Sequence, residues 1–144
     1  MTTPHYDDGI VRAGVVAAAV SGLPSTLWSL RHGRDPLEAT KAAGRLLLPN
    51  GRRTVPLLGS AAVAHIVLSL GWSELIVRTL PRGAGRAQTA LHGVMMGGAI
   101  AALDLGLAHV IRTPRLAGIR DLPVWPQVAD HLAFGMIAAL TGAS

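Results

Sequence analysis

Residues Gly93 to Ile111 read GVMMGGAIAALDLGLAHVI. The run is apolar except for Asp104 and His109. At 1.5 Å per residue it reaches roughly 28 Å, against a hydrocarbon core of about 30 Å. Asp104 lies about 3 Å from its midpoint. A carboxylate at that depth is costly, so it faces protein or water and marks a candidate functional site.

Three further runs match this one: Val11 to Leu30, Leu57 to Val77 and Gln127 to Ala143. Each extends roughly 25–31 Å as a helix. Composition agrees with a membrane chain. Half of the 144 residues are apolar and 15% are charged, below the ~25% usual in soluble domains. The mean hydropathy is +0.42. Aromatics are scarce, so Ala, Leu, Val and Gly supply the apolar content, as in close-packed membrane helices. A soluble bundle has a polar stripe on each helix; Ala61 to Leu70 and Val94 to Leu103 have none. The expected fold is all-α: a four-span transmembrane bundle, one membrane domain over residues 1–144. The N-terminus is a poor signal peptide, because Asp7 and Asp8 precede the first run. That run is read as a retained span, kinked at Pro24, with Ser21, Ser25 and Thr26 available to satisfy the freed backbone groups.

The loops give an orientation. Loop one carries Arg31, Arg34, Lys41, Arg45, Arg52 and Arg53, and loop three carries Arg112, Arg115 and Arg120. Loop two carries Arg78, Arg82 and Arg86. Nine basic residues against three place loops one and three in the cytoplasm and both termini outside. The net charge of +5 is thus a topology signal, and no nucleic-acid partner is expected. Within loop one, Asp35-Pro36-Leu37-Glu38 is a helix start with an N-cap, Pro at N1 and Glu at N3. Glu38, Lys41 and Arg45 share one face, with Ala43 and Leu47 opposite. This predicts a short amphipathic surface helix over about 36–48. Leu122 to Pro126 reads as an interfacial entry to span four, with Trp125 near the headgroups.

Asp104, His65, His109, Asp130 and His131 all fall in the cytoplasmic half of the spans. Several polar residues have structural readings. Glu74 pairs with Arg78 and Arg12 with Asp8, each four residues apart. Asp130 suits the first turn of its own helix, and His92 sits at an interface. On span three, Gly93, Gly97 and Asp104 lie within about 20° of one face. The GxxxG step lets another helix approach. Gly135 and Ala139 offer a similar seam on span four. On span two, Ala62, His65, Ser69 and Trp72 share a face, so an Asp104–His65 bond across the bundle is expected.

The candidate intramembrane polar site is therefore His65, Asp104, His109 and His131. These residue types suit a proton relay or a divalent metal. Haem needs a facing His pair, and only His109 and His131 share a depth. Asp104 and His109 are about 140° apart on their helix, which counts against one small metal site. No cofactor is expected. The chain has no cysteine, which excludes disulfides and thiolate chemistry. It also lacks GxSxG, Walker A, HExxH and CxxC motifs, so no enzyme is expected.

The segments Asp35 to Thr40, Ser69 to Trp72, Ala102 to Gly106 and Ala129 to Gly135 resemble a group of small actinobacterial integral membrane proteins of unknown function. The resemblance implies a multi-pass protein of the bacterial cytoplasmic membrane and carries no activity. The expected function is a non-enzymatic accessory, assembly or scaffold component, with lipid and another membrane protein or a second copy as partners. The alternative is a small transporter or channel with a protonatable Asp104/His65 core. A further alternative is a haem- or metal-binding subunit.

Overall fold

Nothing within the apolar runs stops a helix except Pro24. The computed structural model describes residues 4–144, and all four runs begin earlier than expected. Seven helices are present among the described residues: α1 (Pro4–Val20), α2 (Leu23–Arg31), α3 (Glu38–Gly44), α4 (Thr54–Arg78), α5 (Arg86–Val110), α6 (Pro114–Arg120) and α7 (Val124–Gly142). There is no strand among these residues. Three stretches are long and apolar enough to cross a membrane: Asp8–Arg31, Thr54–Arg78 and Arg86–Val110. The chain is thus all-helical with three such helices. The first takes in α1, the Ser21–Gly22 turn and α2.

The break near Pro24 is a full interruption. Pro24 sits in the first turn of α2, where its missing N–H is one of the groups a helix start leaves unpaired anyway. Thr26 Oγ1 donates to the Gly22 carbonyl at 2.9 Å.

Small residues fix the packing. α5 and α7 share the widest interface, and α1 packs on both α4 and α7. A Cβ at Gly97 would strike the His131 carbonyl, and one at Gly135 would strike the Gly93 carbonyl. The two backbones therefore touch where Gly93, Gly97 and Gly135 meet, as the GxxxG step predicts. The core beside this seam holds Ala17, Ile76, Ile100, Phe134, Ala138 and Ala139. No comparable interface joins α4 to α5. They are linked near their connection by Thr79 Oγ1 and His92 Nε2, 3.1 Å apart.

The two ends of the bundle differ. At one end Arg12 Nη2 donates to the carbonyls of Thr141 and Ser144, at 3.0 and 2.8 Å, and so caps the end of α7. The expected Arg12–Asp8 pair is replaced by this contact. Glu74 and Arg78 pair as expected, at 2.6 Å. At the other end α3 packs on α4 and α6, and α6 packs on α5. Loops one and three thus share one end. α3 is shorter than expected and does not simply lie on the surface: Ala42 is buried, and Gly44 rests on the Leu57 carbonyl of α4. α6 was not anticipated. It starts with Pro114 after Thr113. Arg120 Nη1 turns back to the Ala108 carbonyl at 3.1 Å and caps α5.

The start of α3 keeps part of its predicted cap. Leu37 N–H donates to Asp35 Oδ1 at 2.9 Å. Glu38 does not fold back on Asp35; it takes Arg34 Nε, at 2.9 Å, and the Ser29 hydroxyl, at 3.2 Å. Lys41 Nζ bonds Asp35 Oδ2. That bond, aided by the Leu37 amide, holds the Asp35 carboxyl below its usual value of 3.8.

Candidate functional site: a polar cavity between the helices

Four positions on α4 recur at steps of three and four: Ala62, His65, Ser69 and Trp72. That spacing puts them on one face of a helix, and all four line a cavity of about 710 Å³. This is within the size range of small-molecule sites. Along α4 the lining runs from Leu58 to Trp72, roughly 21 Å. The α1–α2 break contributes Ser21 and Ser25, α5 contributes Asp104, and α7 contributes Gln127, Asp130 and His131.

Asp104 is on the face of α5 that carries Gly93 and Gly97, and that face meets α7. Its partner is His131: Nε2 and Asp104 Oδ2 are 3.4 Å apart. The expected Asp104–His65 bond is not formed. His65 Nε2 instead bonds the Ala18 carbonyl on α1, at 3.1 Å. The glycine contact between α5 and α7 explains the exchange. It brings His131 to Asp104, while α4 has no packed interface with α5.

Hydrogen-bond chemistry then fixes the proton count. His131 Nδ1 is 2.7 Å from the Gln127 carbonyl, which can only accept, so Nδ1 carries the hydrogen. Nε2 and Asp104 then need one further proton to bond each other. It is on Nε2, facing a carboxylate, or on Asp104, facing a neutral ring. The Asp104–His131 pair is a one-proton unit.

Asp130 has a partner that its own helix does not explain. Its Oδ1 accepts the Ser25 N–H at 2.9 Å. In an unbroken helix that N–H would bond the carbonyl four residues back. The break leaves it free, and a carboxylate from α7 caps α2 across the bundle. Expecting Asp130 to serve only the dipole of α7 missed this. The signal was Pro24, read for the carbonyl it frees and not for the amide that follows it.

His109 does not belong to the group. Its Nδ1 bonds the Leu105 carbonyl at 2.7 Å, and it does not line the cavity. Of the four candidate residues, His65, Asp104 and His131 line the cavity, and Asp130 joins them there. The His109–His131 pair that haem would need does not face one space. Among the described residues, no group of three or more His, Asp or Glu is gathered so that it could hold a metal ion.

Two further features shape the chemistry. No Lys or Arg lines the cavity, so no permanently positive side chain faces its carboxylates. Trp72 lines it, and the indole N–H is buried without a partner. At the α3–α6 end the walls are mostly apolar: Ala39, Ala43, Leu116 and Ile119, with Thr40 the polar exception. Compared with known proteins, the chain matches no family model, no curated protein and no solved structure.

Proposed function

We propose that the chain is a four-span protein of the bacterial cytoplasmic membrane that binds a small molecule in this cavity, with the Asp104–His131 pair as its protonatable centre. The observation that carries the reading is the cavity: three helices bring four ionisable side chains to a space large enough for a ligand. Paired intramembrane ionisable groups mark substrate and proton pathways. α7 is the fourth span; it is 19 residues long, roughly 28 Å, and is packed against α1 and α5. Loops one and three face the cytoplasm and both termini face outside. The nine-to-three basic bias and the shared end of α3 and α6 support that orientation.

The second reading is the accessory or scaffold component. The observation that favours it is the unpacked seam between α4 and α5, which a helix of another membrane protein would close.

Native mass spectrometry of the protein released from lipid nanodiscs separates the two. The ligand reading expects an adduct of constant small mass, absent in the cavity-filling variant Ala62→Phe. A bare chain, or a chain held only by a second polypeptide, contradicts it and favours the scaffold.

A further inference from the structure

We infer that the cavity's ligand is a cationic amphiphile, an alkyl chain carrying an ammonium group, which enters sideways from the bilayer between α4 and α5. The inference rests on the ligand-binding reading above and adds the ligand's charge and its route.

The charge follows from the lining. The titratable groups facing the cavity are His65 on α4, Asp104 on α5, and Asp130 and His131 on α7; the α1–α2 break, α3 and α6 present none. The shared proton of Asp104–His131 leaves that pair without net charge. Asp130 is then a second carboxylate, held through one oxygen by the Ser25 amide. Its charge has no Lys or Arg to meet it in the cavity. An unpaired charge in a low-dielectric space is strongly unfavourable. A proton or an organic cation resolves it. The Ser21, Ser25 and Ser69 hydroxyls, and Nδ1 of His65, whose Nε2 bonds the Ala18 carbonyl, would accept hydrogen bonds from an ammonium N–H.

The shape gives the rest. Beyond the polar centre the walls are mostly apolar toward α3 and α6, which suits a hydrocarbon chain. Leu68, Leu107 and Ile111 line the cavity and are exposed. They flank the seam where α4 and α5 do not pack, so the opening faces lipid.

Trp72 supplies the test. It lines the cavity, whereas Trp28 stacks on His32 and Trp125 is 82% exposed. In the Trp28→Phe/Trp125→Phe protein Trp72 is the sole tryptophan. Twelve-carbon chains brominated at the tail and ending in ammonium, alcohol or carboxylate are titrated into the protein in nanodiscs, and quenching of Trp72 is read. Saturable quenching by the ammonium probe is expected at about tenfold lower concentration than by the alcohol, the step between a neutral and a charge-assisted hydrogen bond. It weakens as pH falls, because protons compete with the ammonium group for the Asp130 carboxylate, and it weakens in Asp130→Asn. The pH arm needs no variant, so the test survives if Asp130→Asn does not fold. Equal affinity for ammonium and alcohol, or preference for the carboxylate, overturns the charge assignment and leaves the ligand reading standing. No saturable quenching by any probe, or quenching unchanged in Ala62→Phe, overturns both.

Discussion

Asp104 illustrates what a single residue can and cannot announce. Its depth in an apolar run and its place on the Gly93/Gly97 face were legible, and that face does meet a helix. The partner was not. Depth placed His65 and Asp104 at one level, but depth carries no information on which helices touch. His131 won because glycines close α5 onto α7. The same limit applies to Asp130, whose partner is a backbone amide released by Pro24. Asp130→Ala removes this cap and lowers stability by about 0.5–2 kcal/mol, while Asp130→Asn keeps most of it, read as thermal unfolding in detergent. Outside the spans, Asp35 has a carboxyl held below 3.8 by Lys41. A depressed folded value means that its contribution is present above 3.8 and is lost as pH falls through the lower folded value. The Leu37 amide resonance should titrate with a midpoint below 3.8 and stop titrating in Asp35→Asn.

At the level of elements, the apolar runs located α4 and α7 to within three residues and the end of α5 to within one, while α5 begins seven residues before its run, at Arg86; long apolar runs leave no other regular structure in a bilayer. The loop helices were harder. α6 is 7 residues long and gains its order from packing on α5 and α3, which no local pattern encodes. α3 was expected from its cap signals, yet the end of the bundle, and not the lipid surface alone, buries it. The α5–α7 contact is the most demanding piece of packing. Gly135→Val pushes a side chain into the Gly93 backbone. It should destabilise by about 1–3 kcal/mol or more and shift the unfolding transition down. The same change at Gly59, where a Cβ meets nothing within 4 Å, should shift it little.

For the whole molecule, the proposed sidedness rests on charge bias and helix order. The absence of cysteine makes it simple to measure. Single cysteines at Arg53, Arg115 and Arg82 are treated in intact cells with a membrane-impermeant thiol reagent. Arg82→Cys should react at once, and the other two only after permeabilisation. The reverse pattern inverts the orientation; a split between Arg53 and Arg115 contradicts a shared end for loops one and three. Function was the least legible property at this scale. The cavity exists because α4 and α5 diverge while α3 and α6 cover one end, and such a space has no sequence signature.

The pairing of Asp104 with His131 at the centre of the cavity is tested most directly by nitrogen resonances of the histidine rings. The protein is labelled with ¹⁵N-histidine, placed in nanodiscs and compared with Asp104→Asn. The expected result is that His131 moves most, that its Nδ1 stays protonated near neutral pH, and that His109 does not move. An unmoved His131 with a large change at His65 would contradict the Asp104–His131 centre.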